Sequence, residues 1–217
     1  MNVVRRRSGR LPTAILMSGA GSNARRLLER PDPLYEVRLL LTDNPASNAA
    51  RIAAEFGVEC VQLDIYRFCA ASRPEEPAAS GDGDGGLRDP RRRAAFDRLL
   101  AAELKRRGVR LAALAGYDWL LGAELCRAFL FVNVHPGDLR VRDAHGRRRY
   151  VGLGWVPTAK AILNGERFVR STTHLVTPEL DGGPIARVSA PVPVQLPEDA
   201  AGRGLLPPGA SLDEIVR

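Results

Sequence analysis

A chain of 217 residues can bury one sizeable hydrophobic core and is short for two full domains. Its 45% hydrophobic content is that of an ordinary globular protein, and no apolar run reaches the roughly 18 residues of a membrane span. The net charge of +7 raises nucleic acid as a partner, but the basic runs at 5–7, 91–93, 105–107 and 147–149 lie in separate segments without interleaved aromatic platforms. That scatter argues against a dedicated nucleic-acid-binding role and leaves attraction of a small anionic substrate.

Residues 1–12 form a basic arm whose apolar continuation is too short for a secretory signal and runs into a Gly-rich turn. Residues 13–17 read as a strand. The turn Ser18-Gly19-Ala20-Gly21-Ser22-Asn23 follows, then a helix to about Glu29 that Ser22 or Asn23 can cap. Residues 35–41 form a second strand, 46–56 an alanine-rich helix stopped by Gly57, and 58–63 a third strand. Strands alternating with helices predict an α/β fold: a three-layer, Rossmann-like, mostly parallel sheet in one domain spanning 1–217.

Residues 70–88 interrupt this order with Pro, Glu, Ser, Gly and Asp, the composition of a mobile surface insertion. Asp82 and Asp84 lack the closing carboxylate of a calcium loop, so this tract reads as linker. Residues 90–107 predict a helix with Ala94, Ala95, Leu99, Leu100 and Leu104 on its apolar face. A strand over 109–114, a helix over 117–127 and a strand over 130–134 follow, then a basic, Gly-containing loop over 138–153. Residues 157–164 read as a helix with Pro157 in its first turn and Gly165 after it. Residues 171–176 and 185–194 alternate as strands of antiparallel character, leaving the C-terminal strands partly antiparallel. The tail, 195–217, is Pro- and Gly-rich, with a short helix near 212–216. Cys60, Cys69 and Cys126 form no cluster, so a reduced, cytoplasmic protein is expected.

Three segments carry candidate chemistry. The turn at 18–23 frees backbone N–H groups at a helix start, the arrangement that favours an anion. It lacks the third glycine of a dinucleotide fingerprint and the Gly-Lys-Ser/Thr of a triphosphate loop. Asn133 and His135 share one face at the end of a strand, where open α/β sheets gather ligands. Asp181 sits in Leu180-Asp181-Gly182-Gly183, a turn whose glycines allow close approach to a ligand. His135, His145 and His174 lack zinc-site spacing, so no metal is expected.

Taken in order, Ser-Gly-x-Gly-Ser-Asn, Leu-Ala-Gly-Tyr ending at Tyr117, Asn133-Val134-His135-Pro136, and the stretch from His174 through Asp181 to Pro184 resemble the phosphoribosylglycinamide (glycinamide ribonucleotide) formyltransferase family and its folate-dependent relatives. The resemblance implies the formyltransferase fold and a folate donor, 10-formyltetrahydrofolate. It makes Asn133, His135 and Asp181 the catalytic trio, with His174 beside them. Asn133 and a charged His135 would stabilise the developing oxyanion; Asp181 would hold that charge and relay the amine's proton. Leu114, Gly116 and Tyr117 would line the folate pocket with Val176, Thr177, Glu179, Gly182 and Gly183. Gly19, Gly21, Ser22 and Asn23 match the turn that holds the acceptor's phosphate, and Arg93 falls near a substrate-contacting arginine.

The chain departs from the family pattern at Gly137-Asp138-Leu139-Arg140, at Asp118-Trp119, in the added basic loop 142–153 and in the short tail. These changes spare the catalytic motifs and open the acceptor's identity. Glycinamide ribonucleotide is the best single acceptor; an amino sugar or specialised-metabolite amine, hydrolysis of the donor to formate, and non-catalytic folate binding are the alternatives. Formylation of initiator methionyl-tRNA would need a second, RNA-gripping domain. The expected partners are a small-molecule amine, phosphorylated or not, and the folate, with no membrane and with either a monomer or a homodimer as the assembly.

Overall fold

The sequence Thr13-Ala14-Ile15-Leu16-Met17 is buried on both faces, as the middle strand of a parallel sheet requires, and it forms the end of β1 (Leu11–Met17) in a computed structural model of the chain. The structure describes residues 9–71 and 89–195. The start of the basic arm, most of the 70–88 insertion and the tail from 196 with its helix near 212–216 lie outside the described residues.

The other strands are β2 (Tyr35–Thr42), β3 (Glu59–Gln62), β4 (Leu111–Leu114), β5 (Leu130–His135), β6 (Phe168–Val169), β7 (Thr172–Leu175), β8 (Ile185–Val188) and β9 (Val192–Pro193). The helices are α1 (Ser22–Leu28), α2 (Ala49–Phe56), α3 (Ile65–Ala71), α4 (Pro90–Arg106), α5 (Ala123–Ala128) and α6 (Val156–Leu163). The main sheet has seven strands in the order β3-β2-β1-β4-β5-β7-β8. β3, β2, β1, β4 and β5 pair in parallel, whereas β7 and β8 join antiparallel. Strand order reverses between β1 and β4, so their carboxyl ends, together with that of β5, flank a topological switch point.

The expected α/β architecture is present, with local corrections. Gly21 caps α1 in the left-handed conformation, and neither Ser22 nor Asn23 supplies a capping side chain. The Ile65–Ala71 helix is absent from the sequence reading. Residues 117–122 are not helical, because their groups bond elsewhere. Ser18 Oγ accepts the Asp118 N–H at 3.0 Å, Asp43 accepts the Trp119 indole N–H at 2.5 Å, and buried Asp97 accepts the Gly122 N–H at 2.7 Å. The inner face of α4 is Phe96, Asp97, Leu100 and Leu104, with Ala94 and Leu99 exposed. The strand read over 185–194 divides: β8 pairs with β7, and after Pro191 β9 pairs with β6 in a separate two-stranded sheet.

Leu100 is fully buried in the cluster that joins α4 to β1, β2 and β4. Leu100→Ala is expected to lower unfolding stability by about 2–5 kcal/mol, measured by denaturant titration, without changing activity per folded molecule. A change under about 1 kcal/mol would mean that the surrounding side chains collapse freely into the space.

Candidate active site

Tyr117 and His135 follow β4 and end β5, and the antiparallel partner β7 brings His174 opposite Asn133. The loop leaving β7 then returns Asp181 to the same place. Gly183 makes that return possible. A Cβ on Gly183 would lie 1.8 Å from the Leu175 carbonyl oxygen, so only glycine fits this crossing. Asp181 itself is the one described non-glycine residue with positive φ, at 49°, a left-handed conformation that aspartate tolerates better than most side chains.

Asn133, His135, His174 and Asp181 therefore meet. His135 Nδ1 lies 3.2 Å from Asp181 Oδ1, and both side chains are buried. His135 Nε2 lies 2.6 Å from the Tyr150 carbonyl oxygen. Both ring nitrogens thus face acceptors that carry no proton, and both contacts are satisfied only by the doubly protonated ring. Burial pushes the Asp181 carboxyl up, but hydrogen bonding to His135, His174 and the Gly152 N–H outweighs it and holds the group well below the usual carboxylate range. The Gly152 N–H donates to Asp181 Oδ2 at 2.9 Å.

His174 Nδ1 donates to the Leu175 carbonyl at 2.9 Å. Its Nε2 lies 3.2 Å from the Asn133 amide nitrogen and 3.6 Å from Asp181 Oδ1. The neutral ring accepts from Asn133 there; a charged ring would donate toward Asp181. Among the described residues Asn133 makes this one side-chain hydrogen bond.

The cluster closes one end of a cleft of about 380 Å3. Leu114, Gly116 and Tyr117 form one wall with Trp119 and Leu121, and Val176, Thr177, Glu179 and Leu180 form the other. Gly182 and Gly183, expected in the folate pocket, are not among the lining residues; they belong to the turn that follows Asp181. Of the proposed acceptor turn, Asn23 reaches the lining, whereas Gly19, Gly21 and Ser22 do not. Gly21 packs against Met17 and Ile52, and the Gly19 carbonyl accepts the Asn48 N–H at 3.2 Å. Arg93 is also absent from the lining. Its guanidinium stacks 4.7 Å over the Trp119 ring and donates to the Leu120 carbonyl at 3.1 Å, bracing the donor-side segment from behind.

Sequence reasoning missed two backbone groups that serve the cluster, the Tyr150 carbonyl and the Gly152 N–H, and one side chain nearby, the Asp43 carboxylate. Asp43 accepts from Ser18 Oγ and Trp119 Nε1, both at 2.5 Å, and so ties the ends of β1 and β2 to the segment after β4. Its position directly after a strand in the carboxyl-end crevice was the available signal. No side-chain pattern marks a carbonyl or an N–H.

Neither a protein-family model nor a curated protein sequence matches the chain. Solved structures do. The glycinamide ribonucleotide transformylase 1 of Symbiobacterium toebii is 27% identical, with a TM-score of 0.67 over 88% of this chain and 76% of that one. The corresponding Geobacillus kaustophilus transformylase is 25% identical, with a TM-score of 0.63 and 89% of each chain covered. The phosphoribosylglycinamide formyltransferase of Streptococcus pneumoniae shares the fold at 22% identity, with a TM-score of 0.63 over 89% of this chain and 87% of that one. In this fold, with the ordered motifs converging on one cleft, the chain is similar to the phosphoribosylglycinamide formyltransferases.

Proposed function

We propose that the protein transfers the formyl group of 10-formyltetrahydrofolate to a primary amine, with glycinamide ribonucleotide the best-supported acceptor. The observation that carries this reading is the buried His135–Asp181 pair beside Asn133 at the end of the cleft. The relatives named above as glycinamide ribonucleotide transformylases support the acceptor. The cleft suits the head of a folate: Leu114, Leu121 and Val176 offer apolar surface, and the loop from Val176 to Asp181 offers backbone groups.

The donor supplies an electrophilic formyl carbon, and the amine attacks it. Negative charge then develops on the formyl oxygen. Asn133 retains an N–H beyond the one directed at His174 and is placed to donate to that oxygen. The His135 ring brings positive charge to the same end of the cleft. Both its nitrogens are engaged, so a direct hydrogen bond to the oxyanion requires it to exchange the Tyr150 carbonyl or Asp181. Asp181 keeps the ring charged and takes the amine's proton, directly or through water, for return to the leaving nitrogen.

Incubating the protein with 10-formyltetrahydrofolate, with and without glycinamide ribonucleotide, tests this. Amine-dependent release of tetrahydrofolate is expected. Formate released equally fast without amine would replace transfer by hydrolysis, and no turnover with any amine would sink the proposal. Asn133→Ala is expected to lower kcat by about 10²–10³-fold while leaving donor binding within a few-fold, read by steady-state kinetics and fluorescence titration. An unchanged kcat would remove Asn133 from the oxyanion role.

A further inference from the structure

The run Arg147–Arg148–Arg149 gives the loop after β5 its basic character, yet none of the three lines the cleft. Arg147 pairs with Asp143 at 2.9 Å, and Arg149 donates to Asn164 at 2.6 Å. Arg148 turns inward. Its guanidinium donates to the carbonyl of Asp181 and, at 2.8 Å, to that of Gly183. The two acceptors lie on either side of Gly182, so one planar fork bridges the turn that carries the catalytic carboxylate.

The same loop touches both members of the pair. The Tyr150 carbonyl receives His135 Nε2, and the Gly152 N–H reaches Asp181 Oδ2. The loop is itself fixed. Arg142 and Arg148 form an antiparallel bridge, and Asp143 Oδ1 accepts the backbone N–H groups of His145 and Arg147, each at 2.9 Å. The buried Tyr150 donates its hydroxyl to Glu166 at 2.6 Å, and Lys160 donates to the Val151 carbonyl at 2.9 Å. Gly137 completes the fit, since a Cβ there would meet the Tyr150 oxygen at 2.7 Å and His135 Nε2 at 2.9 Å.

We propose that Arg148 is a positioning residue: the basic loop is a clamp that holds Asp181 in its left-handed conformation and in register with His135, rather than an anion-binding element for the acceptor. Its effect on turnover rests on the formyl-transfer reading; its effect on the His135–Asp181 geometry does not. The charged and titratable groups around His135 are Asp181, His174, Arg148 and, one residue removed through Val151, Lys160.

The test is Arg148→Lys, which keeps the charge but loses the planar two-point fork, with Arg147→Ala as the control. Two measurements are made on the whole chain. Ring-nitrogen NMR, assigned through the chain's three histidines, is expected to show both His135 ring nitrogens hydrogen-bonded in the wild type and a displaced His135 signal in Arg148→Lys. Kinetics are expected to show kcat lowered about tenfold or more with the acceptor KM within twofold, and the acid limb of the pH profile moved to higher pH. Arg147→Ala should match the wild type in both. An unchanged His135 signal in a folded Arg148→Lys overturns the clamp, whatever the activity. A raised acceptor KM with unchanged kcat also overturns it, in favour of acceptor binding. A shifted ring signal in a protein that formylates no amine supports the clamp and fails the transfer reading instead. If Arg148→Lys does not fold, Arg148→Gln, which also loses the planar two-point fork onto the Asp181 and Gly183 carbonyls, takes its place with the same outcomes.

Discussion

Asp181→Asn is expected to cut formyl transfer by about 10²–10⁴-fold while leaving the fold in place. Asparagine tolerates the left-handed backbone that Asp181 occupies, so the turn at 180–183 has no steric reason to move. What disappears is the negative charge beside His135 Nδ1, and with it the group proposed to take the amine's proton. His135→Asn removes the other half of the same pair, and the double variant should lose little more than either alone, because the two act as a unit. Single-turnover formyl transfer measures this; additive losses would show that the residues act separately.

The same carboxylate makes stability depend on pH. Asp181 titrates below the usual carboxylate range when folded and near about 3.9 when unfolded. Its contribution is fully present above about pH 5 and is lost as the pH falls from there toward its depressed folded value. The wild type should therefore exceed Asp181→Asn in unfolding midpoint at pH 7, and the gap should narrow steadily as the pH is lowered below about 4. A gap independent of pH would show that the pair contributes packing alone.

Gly183→Ala is the second large effect. The new Cβ would sit 1.8 Å from the Leu175 carbonyl oxygen and 2.8 Å from its carbon, both backbone atoms that rotamer changes cannot clear. β7 and the Asp181 turn must separate at that point. A displacement of about 1 Å at Asp181 suffices for a roughly 100-fold loss of kcat, and the strain should cost about 1–3 kcal/mol of stability. Gly182→Ala is the contrasting case, since the atoms nearest its Cβ belong to the Glu179 side chain, which can swing away, and not to the backbone. Kinetics and thermal unfolding of both variants decide this. Equal behaviour would mean that the Leu175 crossing does not set the turn.

Much of the fold is legible from residue pattern. Apolar runs such as Ala14-Ile15-Leu16-Met17 and Leu39-Leu40-Leu41 have no polar face, which suits strands covered on both sides. Gly57, at φ 65°, ends α2 where a side chain would be strained. Asn133 and His135 are readable as a pair because alternation places both on one face of β5, and the glycines after Asp181 announce a close approach. The segment 117–122 misleads for a physical reason. Its apolar spacing resembles a helix, but Ser18, Asp43 and Asp97, distant in sequence, take up its hydrogen bonds.

The sequence by itself determined the parallel core and the glycine turn that carries Asp181, because each rests on local alternation, composition or a conformation that only certain residues allow; it named Asn133, His135 and Asp181 as catalytic candidates through the family resemblance. Only the tertiary structure decided how those side chains are held. Arg148 looked like one cation in a solvated basic loop, and folding turned its guanidinium onto the carbonyls of Asp181 and Gly183. The Tyr150 carbonyl and Gly152 N–H that complete the site belong to the backbone. Every residue but proline carries both groups, so no side-chain pattern shows which ones will be aimed inward.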